Sequence, residues 1–558
     1  MKKRIKILLI AAIGVMSFAS CNDAIDIVQD GERNNEYDVY RNAEDVKRGI
    51  NGIYNSLPGE EEIEFVSIFT DEVSIGIGNG GQGLIGGEYG FFMQTGNSFA
   101  ASTWGGYYSI INRINRLFEI SDELKQRVQE NSQLTNAQKA AEIAKYRNAE
   151  SELYALRAYA HFKLFAYFTP DYANPSGMSA MILDHVPSKD FDEYIGRSTV
   201  AEVSQFIFDD LDRADQAKAD SGVIWDVYVT VYVNRVFTNT VRLHLHNMLG
   251  NNPDEVIALG TDILNISEFN IATHAEYTDI FPADELNPNL EVDPNVEIIF
   301  KLKRTINGGG AVAGAWYSGY VAEGGSAFYE MGRSLYNELD ALDPDNQGSA
   351  FGSRNDVRYN VNLDATTVVA TNYQDLSPSD FRNNDKLFIG KYQGRQGARL
   401  QKDIPVFRSA DVLLAIAEAK ALKGIFMSSS ADPESLYSNP MESVQSILFY
   451  LRVNRRTEST VADRAANVTP LTINSQQEAY AAILAERRVE LAFEGKRYLD
   501  MKRIGAKAGS PGFQRDPMDC AVNGACLLPV NDYRMTLPIP ASEMNANPVI
   551  REQQNPGY

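Results

Sequence analysis

Apolar side chains recur at three- and four-residue spacing over much of this chain, and that period predicts a mainly α protein. Val46, Ile50, Ile53 and Tyr54 mark one face of a helix over residues 42–57. Tyr107, Ile110, Ile111, Ile114 and Leu117 mark another over 104–120. A longer run over 137–168 carries Leu153, Leu156, Tyr159, Ala160, Leu164 and Phe168, and Pro170, Pro175 and Gly177 end it. Further amphipathic helices are predicted over 199–217, 231–249 and 253–264. The period fades between 266 and 400, where Pro, Gly, Asn and Asp become frequent and Val296–Leu302 reads as a strand. Helix returns at 409–424, with Ser409 placed to cap its start and Gly424 to end it, and again at 441–455.

The stretch from Ala485 to Gly505 reads as two helices meeting at Gly495, a residue suited to a left-handed helix end. Ala482, Ala485, Val489, Ala492 and Phe493 share one face, and Leu484 and Leu491 flank it. A helix apolar on two sides is predicted to be buried between neighbours. The charges between those faces, Glu486, Arg487, Glu490 and Glu494, read as a solvated stripe with local pairs. The acidic run Glu60, Glu61, Glu62 and Glu64 reads as solvated too.

The N-terminus is a targeting segment. Lys2, Lys3, Arg4 and Lys6 precede an apolar run over 7–18 that is too short to span a bilayer comfortably. Phe18-Ala19-Ser20-Cys21 then has the form of a lipobox, which makes Cys21 the expected lipid-bearing first residue of the mature chain. The alternative is a plain secretory peptide cleaved nearby. An exported chain can also form a disulfide between Cys520 and Cys526, six positions apart in a loop. With no histidine or second cysteine pair beside them, zinc is disfavoured there. The net charge of −22 argues against a nucleic-acid partner.

No catalytic constellation stands above background, and neither a cofactor nor a metal is expected. Gly76-Ile-Gly78-Asn-Gly80-Gly81 matches a dinucleotide fingerprint, but more glycine follows it rather than a helix. The residues from Gly76 to Gly96 read as a flexible surface loop carrying Tyr89, Phe91, Phe92 and Asn97. His244 and His246 are two apart in a helical pattern and do not share a face. The run from Asp343 starts like a calcium loop, but Arg354 stands where a bidentate Glu is required.

The segment Glu486-Arg487-Arg488, Glu490-Leu491-Ala492-Phe493-Glu494-Gly495, Arg497, Asp500 and Arg503 resembles the C-terminal signature of the SusD/RagB family of Bacteroidetes outer-membrane nutrient-binding lipoproteins. Arg408, Ala410–Leu414 and Ala417-Glu418-Ala419 resemble a second signature, and the proline-punctuated tail from Leu537 to Tyr558 a third. Glu152 and Leu156-Arg157-Ala158 fit the family's pattern on an earlier helix. Asp23, Asp26 and Asp30 resemble the surface-export signal of that phylum.

The resemblance implies a SusD-like fold: a TPR-like helix-pair superhelix with a loop-rich ligand-binding part and a few short β-strands. It implies one domain over 21–558 after a signal peptide over 1–20. Within it the helical scaffold covers 42–265 and 405–505, the loop-rich insert 266–400 and the extended tail 506–558.

The implied function is capture of oligosaccharides or polysaccharides at the cell surface, anchored to outer-membrane lipid and passed to a SusC-like TonB-dependent transporter. The implied protein is not an enzyme. Capture of peptides or another nutrient by the same architecture, and a surface glycoside hydrolase, are the alternatives. Trp316, Tyr317 and Tyr320, in a glycine-bracketed loop without a core-forming period, are the expected aromatic platform. Tyr89 and Phe92 join them, with Asn97 as a polar partner.

Overall fold

The computed structural model describes residues 39–187, 193–281, 296–304, 316, 326–347, 354–374, 384–392 and 402–558. Cys21, Tyr317 and Tyr320 lie outside these residues. The fold is mainly α, and the strands among the described residues are short antiparallel pairs.

Helix α1 (Ala43–Ser56) starts where the Asn42 side chain accepts the Asp45 N–H. Helix α2 (Glu60–Phe69) was not legible as a helix, because Ile63, Phe65, Val66, Ile68 and Phe69 are nearly continuous and show no period. Its acidic residues suit a helix N-terminus. They are also not simply solvated: Glu62 accepts from Lys163 and Tyr167, and Glu60 from Arg304. Helices α3 (Ser98–Glu130) and α4 (Asn136–Phe168) follow, the first running well beyond its predicted ends. Helices α5 (Val200–Ser221), α6 (Arg235–Leu249) and α7 (Pro253–Leu264) complete the first part, and the short α8 (His274–Ile280) follows them.

Packing proceeds from neighbour to neighbour. Helix α1 lies on α3 and α4, α4 on α5, α5 on α6, and α6 on α7. Helix α9 (Ser409–Leu422) is buried along almost its full length and touches α6 and α7 on one side. On the other side it meets α10 (Val444–Asn454) and α11 (Gln476–Glu490). Its alanines allow this close surrounding. Gly260 on α7 allows it too, since a Cβ there would stand 2.6 Å from Ile416. Arg408, not Ser409, occupies the cap position of α9, and the Ser409 hydroxyl donates to the Glu297 carbonyl instead. Buried apolar residues from Val46 to Ile550 form one contiguous core, with a small satellite at Leu436, Phe449, Val453 and Ala465.

Three strand pairs tie distant segments together. β1 (Val73–Ile75) pairs with β3 (Tyr329–Met331). β2 (Ile298–Leu302) pairs with β4 (Ile404–Arg408), and β5 (Gly512–Gln514) with β6 (Leu527–Pro529).

Helix α11 ends at Glu490, earlier than its apolar pattern predicts. Leu491 to Gly495 form a turn in which Phe493 (φ 61°) and Gly495 (φ 72°) are left-handed, and the chain then enters the short α12 (Arg497–Asp500). The charged stripe is not solvated. Glu486, Arg487, Glu490 and Glu494 are all buried. Glu490 accepts from Arg455 at 2.8 Å and from Arg408 at 3.3 Å, and Glu494 accepts from Lys391 at 2.8 Å. Glu297 also pairs with Arg408 and Arg455, and Glu486 with Arg358 and Arg452 at 2.6 Å each. Asp356 accepts from Arg358 at 2.7 Å.

The cations Arg358, Lys391, Arg408, Arg452 and Arg455 thus meet the anions Glu297, Asp356, Glu486, Glu490 and Glu494. Burial alone would raise the Glu490 carboxyl. Arg455 and Arg408 outweigh it and hold the group well below the usual carboxylate range. The helical period is blind to this, because it registers where charges lie on one helix and not which segments approach it.

Candidate ligand-binding face

The glycine-rich loop leaves β1 and stays stitched to the strand beside it. Gly76 N–H donates to the Phe328 carbonyl at 3.0 Å and Gly78 N–H to that of Ala327 at 2.6 Å. A Cβ on Gly76 would stand 2.4 Å from the Ala327 oxygen, so only glycine permits this approach. At its far end the Asn97 side chain accepts the Ala100 N–H at 2.9 Å as the cap of α3, and donates to Glu88 at 2.9 Å.

Arg515 holds the middle of the loop. Its guanidinium lies 4.1 Å from the ring centres of both Tyr89 and Phe91. It donates to the carbonyls of Ile68 and Thr70 at 3.0 Å, and also to those of Tyr89 and Ala525. The Tyr89 hydroxyl donates to the Asp519 carbonyl at 2.6 Å, next to the disulfide that joins Cys520 and Cys526 with their Cα atoms 5.1 Å apart. The loop is therefore clamped onto the C-terminal segment and is not a free flap.

This arrangement corrects two expected platform residues. Trp316 is 0% exposed, its ring 5.7 Å from that of Phe493 and its carbonyl accepting from Phe328 and Tyr329 N–H. Tyr89 is fully buried as well. A fragmentary apolar pattern conceals such burial, because the covering residues come from far along the chain. Asn97 is nine-tenths buried and acts as a helix cap. Phe92 does face outward, 44% exposed, and two residues not singled out in the sequence join it: Ile85 at 86% and Ile77. Their only sequence signal was their place in the glycine loop.

A cleft of about 380 Å³ is lined by Asp71, Ser334, Arg488, Arg497, Gln514 and Asp516 among others, and Arg515, which holds the loop, stands in its wall. Arg497 grips Asp71 with two bonds of 2.8 and 2.9 Å. Burial opposes ionisation of Asp71, yet Arg488 and Arg497 together hold it far below the usual range. Burial pushes neighbouring Glu72 up to about 7, although it accepts from Phe493 N–H and the Ser67 hydroxyl. Carboxylate, guanidinium, amide and hydroxyl groups gathered in one cleft are the chemistry that satisfies sugar hydroxyls.

Among the described residues no group of three His, Cys, Asp or Glu side chains could hold a metal ion. His244 is stacked on Phe407 and His246 lies against Phe208, so the two imidazoles serve separate contacts. No helix of the described residues is long and apolar enough to cross a membrane.

Residues 316–558 match the model of the SusD family. No curated protein matches the chain. Solved structures match over nearly all of it. A SusD superfamily protein from Bacteroides thetaiotaomicron is 19% identical, covers 92% of this chain and 100% of its own, and has a TM-score of 0.65. A protein described as a putative sugar binding protein from Bacteroides vulgatus is 20% identical, with coverage of 93% and 99% and a TM-score of 0.62. A laminarin binding SusD-like protein is 18% identical, with coverage of 93% and 100% and a TM-score of 0.59. Residues 316–558 thus carry the SusD family's sequence pattern, and the chain has the fold of SusD superfamily structures over nine-tenths of its length.

Proposed function

We propose that the protein captures oligosaccharides or polysaccharides at the outer surface of the cell and passes them to a SusC-like TonB-dependent transporter without cleaving them. The observation that carries this reading is the polar cleft around Asp71, Ser334 and Gln514, whose wall residue Arg515 also holds the glycine loop that leaves Ile77, Ile85 and Phe92 exposed. Solved neighbours described as sugar- and laminarin-binding support the ligand class. Cys21 carries the lipid that holds the protein to the outer membrane, and residues 21–558 act as one SusD-like domain. Tyr317 and Tyr320 remain proposed ligand contacts together with Phe92.

Titration calorimetry against a panel of soluble glycans, laminarin included, tests the ligand class. Binding of at least one glycan with no new reducing ends is expected. Binding of peptides with no glycan bound would overturn it, and release of product would make the protein a hydrolase. Anchoring is tested separately: Cys21→Ala should abolish fatty-acid labelling and release the protein from the membrane fraction, and continued labelling would refute it.

A further inference from the structure

The segment joining α5 to α6 reads Gly222-Val-Ile-Trp-Asp-Val-Tyr-Val-Thr-Val-Tyr232 and is neither helix nor strand. So apolar a run ordinarily turns inward. Here Ile224 is 91% exposed, and Val223, Tyr228 and Tyr232 are exposed beside it. The run is held from behind. The Tyr232 ring meets that of Tyr54 on α1 at 5.2 Å, Lys47 of α1 lies 4.7 Å over it, and Lys218 lies 4.4 Å over Trp225.

The other flank of α1 is basic. Arg41 and Arg48 stand across a groove of about 760 Å³ from Arg113 and Arg116 of α3, and among the described residues Asp45 is the one carboxylate in its lining. Asp45 is shared by Arg41 and Arg48. In a chain of net charge −22, the described lining of this groove is net positive, four arginines to one carboxylate. Val39 and Tyr40 line the same groove, so the stretch leading back to Cys21 leaves from this face. Eighteen residues separate Val39 from Cys21, and at about 3.3–3.6 Å each a chain of that length reaches at most about 65 Å.

We propose that this face rests on the phosphate-bearing surface of the lipid bilayer. The loop around Ile224, Trp225 and Tyr228 enters the interfacial region while the four arginines engage lipid phosphates. Aromatic and aliphatic side chains favour that depth, and basic side chains strengthen the contact where lipid is anionic. The proposal rests on the surface-lipoprotein reading for its setting. It replaces the picture of a protein held by its acyl chains alone with one seated in a fixed orientation.

The test uses the mature chain carrying Cys21→Ala, so that the lipid anchor plays no part and its own labelling experiment stands apart. The chain has three tryptophans, and Trp104 and Trp316 are buried, so acyl-chain-brominated lipids in mixed phosphatidylcholine and phosphatidylglycerol vesicles quench Trp225 selectively. Quenching and vesicle flotation are expected, both weakened by high salt. Ile224→Asp should lower partitioning at least tenfold. Arg48→Glu with Arg113→Glu should lower it by roughly fivefold per arginine. Circular dichroism checks that these surface variants stay folded. Absence of quenching overturns the proposal, as does equal quenching in Ile224→Asp. A concentration-dependent dimer that Ile224→Asp dissociates would assign the loop to a second copy of the chain and also overturn it.

Discussion

Arg408 Nε and Nη2 each lie 2.8 Å from an oxygen of the Glu494 carboxylate, forming a two-pronged buried ion pair between the end of β4 and the turn after α11. The pair sits inside the balanced set of cations and anions that surrounds Glu490. It binds the middle of the chain to its C-terminal part. Removing one partner leaves the other charged and out of reach of water, which costs more than the intact pair contributes.

Arg408→Met should therefore destabilise the protein by about 3–5 kcal/mol. Urea unfolding followed by circular dichroism reads this directly. A loss under about 1 kcal/mol would mean that the remaining charges rearrange to compensate.

Glu72 gives a pH signature. Its folded-state value of about 7 lies above the ordinary 4.5. The folded chain holds this proton more tightly than the unfolded one, so the stability it confers is full below about pH 4.5 and is lost as pH rises through about 7. Glu72→Gln keeps an acceptor for the Phe493 N–H and removes the titration. The wild type should lose of order 3 kcal/mol more than the variant between about pH 5 and pH 8. Parallel stability curves for the two proteins would show that Glu72 does not titrate in this range.

Phe92 and Trp316 should separate in their effects. Phe92→Ala should weaken binding of the cognate glycan at least fivefold, about 1 kcal/mol, with the melting temperature unchanged. Trp316→Ala should instead cost about 3–5 kcal/mol of stability through the cavity it leaves. Calorimetry and thermal melting on both variants decide the matter. A stable Trp316→Ala protein with lost affinity would return that ring to the ligand.

The disulfide closes a short ring, for which the chain-entropy account gives roughly 2 kcal/mol. Cys520→Ser with Cys526→Ser should lower stability by about that amount. It should also speed hydrogen exchange near Tyr89, whose hydroxyl bonds to the Asp519 carbonyl. Exchange unchanged around Tyr89 would show that Arg515 alone secures the loop.

The sequence by itself determined the helical class and most helix positions, because apolar spacing on an amphipathic helix is local and survives without its neighbours. Helices over 136–168 and 253–264 appear within a residue of their predicted limits. It also carried the family signature, including Arg408, Glu490 and Glu494, and the cysteine pair. Tertiary structure alone decided what those charges do: a carboxylate on a helix looks the same facing water or facing Arg408, and the difference is made by segments some eighty residues away. The same held for the loops. Trp316 and Tyr89 looked available because no period claimed them, yet Phe493 and Arg515 cover them from distant parts of the chain. Ile85 and Ile224, which lie between the predicted helices, are the ones left facing out. Exposure is a property of the assembled surface, and periodicity reports only which side of one element a residue is on.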